Sequence, residues 1–269
     1  MSDTLNIFIT GASSGIGRAI AHQYANQFAI KDLSNNKHVA SNRIFIGLVG
    51  RRANELEILA QQLQKNTGLI CAIYALDVRD NAALSLAAKD FTAKFGAPNI
   101  VIASAGVSRG TLTEIADDNK AIQAIFDINV MGMVNTFAPF IAAMKIAGGG
   151  QLVGVASVAG IRGIPRSGAY SASKAAVISY LEALRAEMQH FNIAVSTIAP
   201  GYVRTPMTEQ NQYKMPFLMD ADVFAEKFVN AVEAKVRFKV IPWQMGVIAR
   251  LMRLIPPFLW DFAMKKSAS

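Results

Sequence analysis

The stretch Thr10-Gly-Ala-Ser-Ser-Gly-Ile-Gly17 decides the fold. It follows the apolar run Leu5 to Thr10, which reads as a buried strand, and it opens a helical pattern from about Gly15 to Gln27. Its glycines, Gly11, Gly15 and Gly17, let the chain turn sharply, let backbone approach a pyrophosphate and let a helix pack closely on the strand. The start of that helix adds unpaired N–H groups and a positive dipole end. A glycine pattern alone is a weak signal. With a strand before it and a helix after it, the pattern reads as a dinucleotide cradle.

Working outward, strands are expected at Ile44 to Val49, Leu69 to Leu76, Asn99 to Ala103, Gln151 to Ala156, Ile193 to Ala199 and Phe238 to Ile241, with helices between most of them. No low-complexity linker or internal repeat interrupts the alternation. It therefore predicts one doubly wound α/β domain over residues 1–242 and a C-terminal extension over 243–269. Ligands of such folds lie beyond the carboxyl ends of the strands. The candidate residues fall there: Arg51 and Arg52 after the second strand, Asp77 after the third, Ser104 to Gly106 after the fourth, Ser157 after the fifth and Pro200-Gly201 after the sixth. The polar stretch Ala29 to Arg43 is long for a helix-to-strand connection and reads as a surface excursion away from the site.

The chain has 269 residues, is 52% hydrophobic and carries a formal charge of +8. Its basic residues are scattered, with no aromatic-interleaved basic block, so nucleic acid is excluded in favour of a phosphorylated cofactor or anionic substrate. Cys71, the single cysteine, lies in an apolar run and reads as a buried structural thiol in a reducing compartment. His22, His38 and His190 show no metal-ligand spacing, so no metal is expected. The segment Met-Ser-Asp-Thr-Leu lacks the pattern of a secretory signal, and a cytoplasmic location is expected.

At the end of the second strand an acid holds a free ribose 2′-hydroxyl, whereas a 2′-phosphate needs positive charge. This chain reads Leu-Val-Gly-Arg-Arg there, so Arg51 and Arg52 favour NADP(H) over NAD(H). Tyr170 and Lys174, in Tyr-Ser-Ala-Ser-Lys, share one helix face if the segment after Gly168 is helical. A free tyrosine titrates near 10. A unit charge about 5 Å away at an effective dielectric of about 20 is worth roughly 3 kcal/mol, or about two pK units. One lysine thus makes the phenol usable close to neutral pH.

With these residues in hand, the chain resembles the short-chain dehydrogenase/reductase family over roughly residues 5 to 242. Thr10 to Gly17 fits the family's cofactor turn, including Ser13, Ser14 and Ile16, and Asp77-Val78 its adenine-contacting dipeptide. Asn129, Ser157, Tyr170 and Lys174 fit its catalytic tetrad, and Pro200-Gly-Tyr-Val-Arg-Thr205, with Gly201 and Val203, its nicotinamide loop. One departure is visible: the family's Asn-Asn-Ala-Gly is here Ala103-Ser104-Ala105-Gly106, which is expected to alter strand support without loss of chemistry. The resemblance implies a seven-stranded Rossmann sheet and a nicotinamide dinucleotide. It also implies that Tyr170 moves the proton, Lys174 stabilises the phenolate and holds the ribose, Ser157 binds the substrate oxygen, and Asn129 positions a water.

Between Thr205 and Asp222, the residues Met207, Met215, Phe217, Leu218 and Met219 suit an adaptable apolar lid over a hydrophobic ketone or alcohol. Arg162, Arg166 and Arg204 flank the expected entrance, either to greet an acyl thioester's phosphates or as solvated loop charges. A 3-oxoacyl thioester reductase is thus the narrower alternative, and a non-catalytic dinucleotide-binding regulator the alternative of another class. The extension from Trp243 reads as a cap over the pocket or a homo-oligomer contact (dimer or tetramer), in preference to a peripheral membrane anchor.

Overall fold

The computed structural model describes residues 4–34, 43–67, 69–211 and 214–268. Seven parallel strands form one sheet: β1 (Thr4–Thr10), β2 (Arg43–Gly50), β3 (Ile70–Ala75), β4 (Ile100–Ala103), β5 (Gly150–Val155), β6 (Ile193–Pro200) and β7 (Phe238–Ile241). Their spatial order is β3-β2-β1-β4-β5-β6-β7. The order reverses between β1 and β4, so the loops leaving these two strands diverge and open a crevice at their carboxyl ends. The strands lie where the apolar runs placed them, to within a residue or so at each end.

β1 shows why. A central parallel strand is covered on both faces, and Ile7, Phe8, Ile9 and Thr10 are all fully buried. Ile7 and Ile9 face one layer, built on α1 (Gly15–Ser34), α2 (Ala53–Thr67) and α8 (Ala221–Glu233) and filled by Ile20, Leu56, Phe224 and Phe228. Phe8 faces the other layer, built on α3 (Asn81–Phe95), α5 (Gly132–Ile146) and α6 (Gly168–Met188). There its ring lies 5.4 Å from that of Phe91 and 4.7 Å from that of Phe140. Each such buried side chain contributes about 1.5 to 3 kcal/mol, so these layers hold the strand ends in fixed register beneath the crevice.

The remaining helices are α4 (Asp118–Phe126), the short α7 (Pro206–Glu209), α9 (Trp243–Leu254) and α10 (Pro257–Ala268). A π-helical turn, Asp127–Met131, joins α4 to α5. The continuous helical run Asp118–Ile146 is long and apolar enough to cross a membrane by length and composition. Its buried Asn129, Phe137, Phe140 and Met144 mark it as a core helix. α1 departs from expectation by running to Ser34 instead of stopping near Gln27. The sequence Phe28 to Leu33 contains neither glycine nor proline and has nothing to stop it. The first part of the expected excursion is therefore helix, and residues 35–42, His38 among them, lie outside the described residues.

Candidate active site

The cradle is set by backbone proximity. A Cβ at Gly11 (φ +74°) would stand 2.7 Å from the backbone nitrogen of Ala105, and one at Gly17 would overlap the Gly11 carbonyl. Only glycine allows the loops after β1 and β4 and the start of α1 to meet this closely. They border a cleft of about 420 Å³. Its walls include Gly11, Ser13, Ser14, Gly15, Ile16 and Gly17 from the turn, and Arg51, Arg52, Asp77 and Val78 from the segments that follow β2 and β3. Ser104, Ala105, Gly106, Ser157, Tyr170, Lys174, Pro200, Gly201, Val203 and Thr205 complete the sequence-predicted set there. Asn129 alone of that set does not line the cleft, being fully buried behind it. The replaced family asparagines leave the edge intact, since Ala103 pairs with both Thr10 and Gly154.

At one end, α6 brings Tyr170 and Lys174 onto one face, with Nζ 5.8 Å from the phenol ring centre. The lysine is buried, and its Nζ donates to the Val155 carbonyl at 3.0 Å. Burial lowers its pKa from 10.5 to about 8, so the ammonium is charged at neutral pH. Ser157 opens the 3-10 turn Val158–Gly160, and its Oγ accepts from Ala159 N at 3.1 Å. That turn docks against α6 because Gly160 has no side chain: a Cβ there would lie 2.6 Å from the Lys174 carbonyl carbon. Asn129 sits in the π-helical turn, a distortion often found at functional sites. Its Oδ1 accepts from Val107 N at 2.8 Å, and its Nδ2 donates to Val107 O and to Ser173 Oγ, both at 3.0 Å. Ser173 Oγ donates in turn to the Tyr170 carbonyl at 2.8 Å. Loop, π turn and α6 are thereby fastened to one another.

At the other end the charges sit on the rim. Arg52 Nη2 donates to both the carbonyl and the Oγ of Ser13 at 3.2 Å. Arg51 Nη1 lies 4.0 Å from Asp77 Oδ2 and is largely exposed. Arg79, which the sequence reading passed over, grips Asp77 through Nε at 3.1 Å and Nη2 at 2.7 Å and holds that carboxyl below its usual pKa. Gly50 leaves no room for an acid's stem without a shift, since a Cβ would meet Ser13 Oγ at 3.0 Å.

On the substrate side the structure departs from the sequence expectation. Arg162 does not face an incoming anion: its Nη1 donates to the carbonyls of Met252 (2.9 Å) and Ile255 (2.8 Å), and its guanidinium lies 4.7 Å from the Trp260 ring. Carbonyls at the end of α9 lack i+4 amide partners within the helix and can take this donor. Arg204 pairs with Asp220 at 2.8 Å. Of the expected lid, Met207 lines the cleft, whereas Met219 is tied back by backbone bonds with Tyr202 and Arg204. Residues 212–213 lie outside the described residues. Further wall residues are Gly50, Leu76, Val107, Ile128, Val155, Ala156, Pro206 and Thr208, each within two residues of a predicted position. Cys71 is half-buried, and its thiol is pushed up to about 12 by burial.

Residues 5–216 match the short chain dehydrogenase family. The chain belongs to the short-chain dehydrogenase/reductase family. It is 33% identical over 261 residues to an uncharacterized oxidoreductase of Myxococcus xanthus, covering 96% of this chain and 95% of that one. Two solved family members share its fold. One, from Sphingobium yanoikuyae in complex with NADPH, has a TM-score of 0.75 at 21% identity, over 94% of this chain and 97% of its own. The other, from Burkholderia phymatum in complex with NAD, has a TM-score of 0.77 at 22% identity, over 98% and 95%. The protein is accordingly an oxidoreductase of alcohol or carbonyl groups, with the dinucleotide fold of its family.

Proposed function

We propose that this family member is an NADP(H)-dependent oxidoreductase that interconverts a hydrophobic ketone and its secondary alcohol through Ser157, Tyr170, Lys174 and Asn129. One observation carries the reading. Tyr170 shares a helix face with a buried lysine, and both line the same cleft as Ser157 and the glycine cradle. The glycine turn and the start of α1 fit a pyrophosphate, and the bound dinucleotide would supply or accept the hydride.

The chain's own residues do the rest. Ser157 donates a hydrogen bond to the substrate oxygen, where negative charge develops during reduction. Tyr170 hands its proton to that oxygen, and the nearby Lys174 ammonium stabilises the phenolate left behind and holds the nicotinamide ribose. Both Nδ2 protons of Asn129 are spent on Val107 and Ser173, and Oδ1 already accepts from Val107 N. One lone pair of Oδ1 therefore remains to position a water near the lysine.

Arg51 and Arg52 follow β2 directly, with no acid at the strand's last residue Gly50, and favour a 2′-phosphate even though Asp77 lies 4.0 Å from Arg51. Arg52 already leans on the cradle through Ser13, so little ordering is needed for it to meet that phosphate. The apolar Met207 at the mouth and Val203 in the wall favour a bulky hydrophobic substrate. Screening NADPH and NADH oxidation against bulky ketones and 3-oxoacyl thioesters tests this. Ketone-dependent oxidation of NADPH in preference to NADH is expected. Preference for the thioesters would move the assignment to the narrower activity, and tight NADPH binding without turnover of any carbonyl would replace it with a regulator.

A further inference from the structure

We propose that the outward faces of α9 and α10 form a docking surface for an anionic lipid bilayer. α9 buries Met245, Gly246 and Ala249 and turns Trp243, Val247, Leu251 and Leu254 the other way, at helical spacing. Trp243 is 70% and Leu254 77% exposed, and on α10 Phe258 and Phe262 reach 70% and 81%. No residue of either helix lines the cleft, so these side chains do not cap the pocket.

α9 is held in place, and α10 is joined to it through one shared side chain. Arg162 bonds the end of α9 and stacks on Trp260 of α10, while Arg253 returns a bond to the Ile161 carbonyl at 3.0 Å. The apolar side chains of α9 are thus presented outward from a fixed support, which makes their exposure a surface property.

Charge selects the occupant. Arg250 lies three residues after Val247 and four before Leu254, so it borders the apolar row of α9, and Lys265 follows Phe262 on α10. With Arg253 and Lys266, the two helices carry four basic residues against one acid, Asp261. A second copy seated face to face would bring like charges together, whereas an anionic headgroup layer neutralises them. Helices of 12 residues each are too short to span the roughly 20 residues a bilayer core requires, so they lie in the interface.

The test uses the full chain and sedimentation with vesicles of mixed phosphatidylglycerol and phosphatidylcholine, set against phosphatidylcholine alone. Binding to the anionic vesicles only, weakening as salt rises, is expected. Arg250→Gln with Lys265→Gln should lower partitioning at least tenfold, since each basic residue at such a surface is worth about fivefold. Phe258→Ser with Phe262→Ser should lower it at least about tenfold, with circular dichroism and NADPH binding unchanged. Equal binding to both vesicle types would overturn the proposal. So would a dimer in light scattering, without lipid, that the phenylalanine substitutions dissolve.

Discussion

The two ends of the cleft hold their cations in opposite ways. At the proposed catalytic end Lys174 is buried and fastened to Val155 O. At the far end Arg51 is largely exposed and shares Asp77 with Arg79 in ion pairs that water and salt screen. The difference separates two tasks. A buried charge keeps one geometry and one effect on its neighbour, which suits a chemical step. A rim of exposed arginines yields readily to an incoming phosphate, which suits cofactor choice.

Removing the buried cation should have the largest effect. Lys174→Met is expected to lose turnover by about 10³-fold or more, combining acid–base loss of about 10²- to 10⁴-fold with a lost ribose contact. Steady-state rates and NADPH titration check both parts, and a normal rate would break the comparison at once.

The same lysine should leave a mark on stability. Its pKa falls from 10.5 to about 8 on folding, so below about 8 the fold bears the full cost of a buried charge. Between about 8 and 10.5 the folded protein has released this proton while the unfolded chain still binds it, so this contribution rises with pH. Wild type should gain on Lys174→Met by up to about 3 kcal/mol across that window, as urea unfolding of both apoproteins would show. The difference between the two proteins is the useful quantity. Burial raises the pKa values of Cys71 and Tyr180, and those groups act in the opposite sense.

At the rim the effects are smaller and selective. Arg51→Ala with Arg52→Ala should weaken NADPH at least about tenfold while sparing NADH, because charge-assisted bonds are worth about 1.5 to 3 kcal/mol. Equal loss for both cofactors in binding titrations would remove the 2′-phosphate assignment. Ser13→Ala deletes only the Oγ partner of Arg52 and leaves the carbonyl, so a loss of about two- to tenfold for NADPH is expected.

What was legible in the sequence follows the same division. The strands could be read because each apolar run is buried on both faces, as in Ile7, Phe8 and Ile9. Tyr170 and Lys174 could be paired because a helix converts their spacing into proximity. The Val155 carbonyl under Lys174, the Ser173 hydroxyl under Asn129 and the grip of Arg79 on Asp77 gave no such signal. The first two join groups 19 and 44 residues apart, and the third is a local pair whose meaning depends on where β3 ends. Arg162 was misread for a related reason. Its partners at Met252 and Ile255 are more than 80 residues away, and a free arginine and a capping arginine look alike in a sequence.

Tyr170 is the proposed proton carrier at the buried end, and one comparison reaches it directly: turnover and NADPH affinity of Tyr170→Phe against wild type. The ring stays and only the hydroxyl goes, so affinity should remain close to wild type while turnover of the best carbonyl from the screen falls about 10²- to 10⁴-fold. Full turnover in Tyr170→Phe with normal NADPH binding would contradict the mechanism.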